Sequence, residues 1–155
     1  MDTKCITAHL FGVSLIPLRQ IADDRGKVMH ILRKDAAHFS HFGEVYCSCI
    51  NPGIVKGWKK HKIMTQNLTV PIGRVKFVLF DDRLDSPTYK QSEEIIIGDD
   101  VSSYMLLQIP PQLWYSFRSL SDTTSFIINC STHIHDPSES ITVDLANSEI
   151  AYKWD

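Results

Sequence analysis

The chain has 155 residues, a hydrophobic content of 43% and a formal net charge of −2 at pH 7. This length predicts one compact domain over residues 1–155, with enough apolar side chains for a real core. The near-neutral charge argues against a nucleic-acid partner, and no apolar run reaches the roughly 18 residues of a membrane-spanning helix.

Short apolar or alternating segments recur along the chain between turn signals. In order they are GVSLIPL, KVMHILR, EVYCSCI, QNLTVPI, RVKFVLF, EEIIIG, SYMLLQI, LWYSFRSL and SFIINCS. They are rich in Val, Ile, Phe and Tyr, which is typical of strands, and the breaks DDRG, NPG and GDD are typical of turns. RKDAAHFSHF favours a helical turn or two. Many short strands at near-regular spacing predict an all-β sandwich or barrel of the jelly-roll type.

The run GWKKHKI, after EVYCSCI, places three lysines around one histidine. Residues two apart in a strand share a face. Lys59 and His61 are therefore expected to point one way, and Trp58, Lys60 and Lys62 the other way. The first pair would face the barrel interior, while Lys60 and Lys62 would be solvated.

The cysteines carry little functional signal. Cys47 and Cys49 are two apart on one face of a strand, which is a poor arrangement for a disulfide. No second Cys or His pair has the spacing of a zinc site. The sequence predicts buried, reduced thiols in a cytoplasmic protein.

The spacing around GWKKHKI resembles the first cupin motif, which runs Gly, five residues, His-x-His, four residues, Glu, six residues, Gly. The second cupin motif, Pro-x-Gly-x-x-His, resembles PPQLWY, where Tyr115 takes the place of the histidine. The resemblance implies a double-stranded β-helix barrel. An ammonium and an amide are poor ligands for a transition metal, so we expect no metal and no cofactor. The positions that match the first motif are Gly53, Lys59, His61, Gln66 and Gly73.

Longer segments are similar to the dTDP-4-dehydrorhamnose 3,5-epimerase family and to its relatives, the dTDP-sugar 3,4-ketoisomerases. DDRG at 23–26 resembles the family's D-x-R-G, and VKGW at 55–58 resembles its R-G-L-H. VLFDDRLDSPTYK at 78–90 is close to V-D-x-R-x-x-S-P-T-F-G, which is the most specific match. LQIPPQLWYSFRSLSD resembles L-x-I-P-x-G-x-A-H-G-F-x-x-L-S-D, and the ending ANSEIAYKWD resembles N-D-P-x-L-x-I-x-W.

This resemblance implies a metal-independent nucleotide-sugar epimerase of polysaccharide biosynthesis. Such an enzyme removes a proton next to the C4 ketone of a dTDP-linked or other nucleotide-linked 4-keto-6-deoxyhexose, stabilises the enolate, and reprotonates the opposite face. A 3,4-ketoisomerase and a non-catalytic cupin that binds a nucleotide sugar are the alternatives. The family resemblance also implies a homodimer.

The resemblance further implies catalytic roles at three positions. Lys59 takes the place of the epimerase base, whereas the ketoisomerases have histidine at the positions of both Lys59 and His61. His61 is the candidate base, since an imidazole titrates near neutral pH. Lys59 would polarise the ketone, or act as a base if its pKa is depressed. Tyr115 would donate a proton or a hydrogen bond, and the family's acid tyrosine falls on Ile128.

Substrate binding is implied for a second group of residues. Arg25 matches the D-x-R-G arginine and Lys56 the R-G arginine, and both are suited to a diphosphate. Asn147 matches a late aspartate that orients the base, and Arg83 has a structural alternative, which is to tie down a turn. The candidate substrate-binding residues are Arg25, Lys56, Gln66, Arg74, Arg83 and Asn147.

Overall fold

The computed structural model describes residues 5–147 and 149–155; residues 1–4 and 148, which belong to the predicted domain, lie outside the described part. The described residues form strands joined by turns, with one short 3-10 helix at Pro137–Glu139. No helix among them has the length and apolar character needed to cross a membrane. The strands are β1 (Ile6–Thr7), β2 (Ser14–Pro17), β3 (Gln20–Asp23), β4 (Gly26–Met29), β5 (Glu44–Ile50), β6 (Val55–His61), β7 (Gln66–Ile72), β8 (Arg74–Asp81), β9 (Ser92–Gly98), β10 (Met105–Ile109), β11 (Leu113–Ser119), β12 (Ser125–Ser131) and β13 (Ser140–Thr142).

The strands form two antiparallel sheets and a small hairpin. The first sheet has six strands in the order β1-β2-β10-β7-β12-β5, and the second has five in the order β13-β6-β11-β8-β9. The hairpin pairs β3 with β4. Neighbouring strands are often distant in the chain, as in β12 against β5 and β11 against β6. The predicted all-β jelly roll is confirmed.

The main core lies between the two sheets. Because side chains alternate along a strand, one face of each sheet supplies this core. On β8 the inward residues Val75, Phe77 and Leu79 are fully buried, and Val78 and Phe80 are buried on the other face. The strand is covered on both faces, which explains the nearly unbroken apolar run RVKFVLF.

The outer face of the five-stranded sheet is covered by the C-terminal segment. Ile150 is buried in one cluster with Trp58 and Trp114, and Tyr152 and Trp154 pack against that cluster. These contacts support β6 and β11 from behind, and both strands carry residues of the candidate site.

The segment RKDAAHFSHF does not form the predicted helical turns. Its described residues make isolated turns, in which the N–H of Ala36 donates to Arg33 and the N–H of Phe39 donates to Ala36. A segment this short cannot offset the cost of helix nucleation by itself, so tertiary packing decides its shape.

Two surface expectations are wrong because of tertiary contacts. Lys60 is not solvated: its Nζ lies 2.8 Å from a carboxylate oxygen of Asp82 and 4.6 Å from the ring centroid of Trp114. Cys47 and Cys49 are free thiols, but they are exposed rather than buried, since β5 forms an edge of its sheet and they point outward.

The segment DDRLDSPT is held by a buried carboxylate. Asp81 accepts hydrogen bonds from the Arg83 guanidinium and from the Ser86 and Thr88 hydroxyls at 2.5–2.8 Å. Burial alone would raise the pKa of Asp81, but these donors, led by Arg83, lower it below its usual range. The geometry supports the structural role for Arg83, which ties down this turn.

We expect Asp81→Asn to lower the free energy of unfolding by roughly 2–4 kcal/mol at pH 7. The NH2 group of the new amide would face the donor groups of Arg83, Ser86 and Thr88, and it cannot accept their hydrogen bonds. Urea unfolding at pH 7 and pH 3 measures the loss. Since the folded pKa is depressed, the stabilisation is complete above about pH 3.9 and is lost as pH falls through the folded pKa. The difference in the free energy of unfolding between wild type and Asp81→Asn should therefore be smaller at pH 3 than at pH 7.

The control is Asp85→Asn, at an exposed carboxylate in the same segment. It should change the free energy of unfolding by less than about 0.5 kcal/mol. A loss for Asp81→Asn no larger than the loss for this control would contradict the buried role.

Candidate active site

A cavity of about 250 Å³ lies between the two sheets. One wall comes from β6, β11 and β13 of the five-stranded sheet, and the other from β5, β7 and β12 of the six-stranded sheet. Pockets for drug-sized ligands have roughly 300–1,000 Å³, so this one suits a small ligand or the reactive end of a larger one. The polar lining includes Lys56, Lys59 and Tyr115 on the first wall and Tyr46, Gln66 and Asn129 on the second.

Two lysines reach the cavity because β6 contains a bulge. Tyr115 pairs with Lys59 and Phe117 pairs with Lys56, so a step of two residues on β11 spans a step of three on β6. Residues three apart in a regular strand face opposite ways, and the extra residue returns both lysines to one face. Gly57 lies at the bulge with a φ of +124°, and a Cβ there would lie 2.5 Å from a side-chain carbon of β11. The close approach therefore requires glycine.

His61 is buried behind Tyr115, at the end of β6. Its Nδ1 lies 2.5 Å from Oε2 of Glu139, and its Nε2 lies 3.4 Å from the Tyr115 hydroxyl. The other carboxylate oxygen of Glu139, Oε1, accepts hydrogen bonds from the backbone N–H groups of Ile63 and Met64, with N···O distances of 2.9 and 2.8 Å. The carboxylate is thus fixed, and Nδ1–H donation to it leaves Nε2 as an acceptor for the Tyr115 hydroxyl.

Burial and hydrogen bonds together set the protonation states of these three groups. Burial lowers the pKa of His61 below its usual range, although the hydrogen bond with Glu139 opposes the shift. Burial raises the pKa of Tyr115 well above its usual range. It would also raise the pKa of Glu139, but the hydrogen bonds from His61 and the two backbone N–H groups lower it instead. At neutral pH the group holds a carboxylate, a neutral imidazole and a neutral phenol.

The second wall carries a hydrogen-bonded chain centred on Asn129. Its Oδ1 accepts the backbone N–H of Asn67 at 3.0 Å, which fixes the orientation of the amide. Its Nδ2 then donates to the Tyr46 hydroxyl at 2.9 Å and to Oε1 of Gln66 at 3.4 Å. Burial raises the pKa of Tyr46, and the hydrogen bond from Asn129 opposes that shift. Tyr46 therefore presents a neutral hydroxyl at the cavity.

The cavity wall is positively charged. Lys56 and Lys59 line it, and no aspartate or glutamate is among its described lining residues. Nζ of Lys56 donates to the carbonyl of Cys49 at 2.7 Å. Nζ of Lys59 has no hydrogen-bond acceptor among the residues that the structure describes. This ammonium is free to bind an oxygen atom of a ligand, either anionic or carbonyl.

The other histidines do not assemble a metal site. His133 shares a 2.9 Å contact through Nδ1 with the hydroxyl of Thr132, and its ring packs edge-on against His41. Within residues 5–147 and 149–155, no group of three or more His, Cys, Asp or Glu side chains is placed to hold a metal ion.

The structure brings five of the predicted site residues together. Lys56, Lys59, Gln66 and Tyr115 line the cavity, and His61 contacts Tyr115 from behind. Alternation along β6 holds as expected around the pair, since Lys59 faces the cavity and its neighbours on the chain pack on the outer face.

Three predicted arginines lie away from the cavity. Arg25 is exposed on the β3–β4 hairpin, where its guanidinium lies 2.6 Å from Asp23. Arg74 is exposed at the start of β8, and Arg83 is engaged with Asp81. Ligand contacts from Arg25 and Arg74 stay predictions, while the contacts of Arg83 are accounted for by the turn.

Sequence reasoning missed Glu139 and Tyr46. Asn147 was matched to the carboxylate that orients the base, but it lies in a C-terminal turn, and the carboxylate beside His61 is Glu139. The stretch HDPSES carries only the signals of a turn, so nothing local marks Glu139. In EVYCSCI, alternation separates Tyr46 from Cys47 without saying which of the two faces inward.

Comparison with known proteins finds a family match and a solved structure of high similarity. The sequence model described as dTDP-4-dehydrorhamnose 3,5-epimerase matches residues 7–155. The crystal structure of a dTDP sugar isomerase from Desulfovibrio desulfuricans is 40% identical with a TM-score of 0.91, and the match covers 94% of this chain and 92% of that one.

Two curated proteins match most of the chain. The probable low-salt glycan biosynthesis epimerase of Haloferax volcanii is 29% identical over 130 residues, which are 83% of this chain and 82% of that protein. The spore coat polysaccharide biosynthesis protein SpsL of Bacillus subtilis is 31% identical over 128 residues, which are 83% of each chain.

Proposed function

Because the chain belongs to the dTDP-4-dehydrorhamnose 3,5-epimerase family, we propose that its cavity binds a dTDP-linked 4-keto-6-deoxyhexose and inverts a carbon next to the ketone. The family match and the glycan and polysaccharide relatives identify an enzyme, a nucleotide-sugar epimerase with the cupin fold, as the sequence predicted. The nucleotide, the sugar and the carbon that is inverted are the proposal.

The proposal is carried by one observation: on one wall the Lys59 ammonium, which has no hydrogen-bond acceptor among the described residues, lies with the Tyr115 phenol, and a buried His–Glu pair contacts that phenol from behind. Lys59 binds the C4 carbonyl oxygen and stabilises the charge of the enolate. The oxygen of Tyr115 accepts the proton from carbon while its own hydroxyl proton moves to Nε2 of His61. The electron pair of the broken C–H bond moves toward the carbonyl oxygen, and Glu139 stabilises the imidazolium.

Substrate orientation follows from the size and charge of the cavity. Its volume is below that of pockets for drug-sized ligands, so the sugar enters the cavity and the nucleotide lies outside. Lys56, which is exposed, takes the diphosphate, and Gln66 bonds a sugar hydroxyl. Arg25 and Arg74 are further candidates for the nucleotide.

A 3,4-ketoisomerase is the second candidate function. It is favoured by the His61-Lys62 pair and by Gln66 on the cavity wall, which match residues that ketoisomerases have at these positions. Both reactions begin with the same enolate, and they differ in the atom to which the proton returns.

We expect the purified protein to incorporate solvent deuterium at C3 of dTDP-4-keto-6-deoxyglucose in D2O, with inversion at that carbon. NMR of the sugar follows the exchange, and a sample without protein is the control. Deuterium at both C3 and C5 identifies a 3,5-epimerase, and a ketone shifted to C3 identifies the ketoisomerase. Binding of dTDP without any deuterium uptake would refute the enzymatic proposal.

We also propose a cytoplasmic homodimer. Val28 on the hairpin and Val45 on the edge strand β5 are 61% and 56% exposed. Exposed apolar side chains beside an unpaired sheet edge are typical of a surface that is buried in a dimer interface. The free thiols support a reducing compartment. Light scattering on the purified chain measures the assembled mass, and a monomer mass would refute the dimer.

A further inference from the structure

Inversion at carbon requires a second proton-transfer group on the far side of the sugar. The first wall holds Lys59 and Tyr115, so a proton that returns from this wall restores the original configuration. The family's acid tyrosine falls on Ile128. On β12, Ile127 and Asn129 line the cavity, and alternation turns Ile128 to the opposite face of the sheet. The expected donor is therefore missing from its strand.

Tyr46 offers a hydroxyl on the second wall. It lies on β5, pairs in register with Asn129 of β12, and faces the cavity from the six-stranded sheet. Lys59 and Tyr115 belong to the other sheet, and all three side chains line the same cavity. Ser48 also lines this wall, but an aliphatic hydroxyl is a far weaker acid than a phenol, whose pKa is about 10.

The hydrogen bonds of Tyr46 leave its proton available. The Asn129 amide donates to the Tyr46 oxygen, and its orientation is fixed because its Oδ1 accepts the Asn67 N–H. With its oxygen accepting from Asn129, the phenol can direct its own O–H into the cavity. Burial keeps the pKa of Tyr46 raised, so the phenol is protonated at neutral pH. Tyr46 is 39% exposed and lines the cavity, so a ligand in the cavity can contact it.

We propose that Tyr46 is a second catalytic residue, which protonates the enolate carbon from the wall opposite Lys59 and Tyr115. The enolate electron pair forms the new C–H bond as the Tyr46 O–H bond breaks, and the ketone re-forms. The tyrosinate, held by the Asn129 N–H, then regains a proton from solvent through the cavity mouth. The inference depends on the epimerase reaction proposed above, and it assigns the face from which the proton returns.

Tyr46→Phe tests this role, since the substitution removes one oxygen and keeps the ring. Tyr89→Phe is a matched control, because Tyr89 is also 39% exposed and lies on a turn outside the cavity. Both variants and wild type react with dTDP-4-keto-6-deoxyglucose in D2O, and NMR separates exchange into substrate from formation of inverted product. Thermal melting and calorimetric titration with dTDP check folding and nucleotide binding.

Tyr46→Phe should still exchange the C3 proton into unreacted substrate, while inverted product forms roughly 10²–10⁴-fold more slowly. Tyr89→Phe should match wild type in the rate of C3 proton exchange and in the rate at which inverted product forms. Inverted product from Tyr46→Phe within threefold of wild type overturns the assignment. If Tyr46→Phe loses both the C3 proton exchange and the formation of inverted product, the assignment is also overturned, since Tyr46 would then act before the enolate forms. A wild-type protein that exchanges no proton refutes the epimerase proposal itself.

Discussion

Lys59→Met is expected to lower kcat for the epimerase reaction by roughly 10²–10³-fold, the usual loss when one stabilising donor of an oxyanion is removed. Methionine keeps an unbranched apolar stem of similar length, and the ammonium alone is lost. Lys59 lines the cavity with no acceptor among the described residues, so its charge is available to the ketone oxygen. Steady-state kinetics with dTDP-4-keto-6-deoxyglucose measures the effect.

Lys62→Met is the matched control for this variant. Lys62 is exposed three residues further along the chain, and its Nζ donates to the carbonyl of Ser138 at 2.7 Å. Its kcat should stay within about threefold of wild type, because no reacting atom is near it. Binding of dTDP should persist in Lys59→Met, since Lys56 remains at the cavity. A kcat of Lys59→Met equal to that of the control would refute the role of Lys59 in enolate stabilisation.

Glu139→Gln is expected to lower kcat by roughly 10²–10⁴-fold while the fold persists. The amide oxygen can still accept the N–H groups of Ile63 and Met64, but the amide nitrogen now faces Nδ1 of His61. The imidazole must then carry its proton on Nε2. It presents a donor to Tyr115 instead of an acceptor, so the proton relay is blocked.

The pH profile distinguishes this effect from simple loss of packing. Burial already lowers the pKa of His61, so the acid limb of the wild-type kcat profile should lie below the usual imidazole pKa of about 6.5. Glu139 opposes that shift, so its removal should move the limb of the residual activity to still lower pH. Glu149→Gln, at an exposed position, is the control and should leave the profile unchanged. An unshifted limb in Glu139→Gln would indicate that the carboxylate does not act through the imidazole.

The sequence by itself determined most of the strands and the inward direction of one pair of site residues. EVYCSCI, QNLTVPI and SFIINCS coincide with β5, β7 and β12 at both ends. Lys59 and His61 share the inner face, and Trp58 packs on the outer one, as the period of two predicts. The resemblance of DDRLDSPT and its neighbours to one family gave the function at family level. Strand formation and alternation are local properties, so a local pattern is enough to predict them.

Only the tertiary structure decided how the site is completed. A bulge turns Lys56 to the face of Lys59, which strict alternation along β6 would not allow. Glu139 reaches His61 from 78 residues away in the chain, and Tyr46 faces the first wall from the other sheet. Lys60 is withdrawn from solvent by Asp82 in the same way. These placements depend on register and on how the two sheets pack, and residues distant in the chain set both.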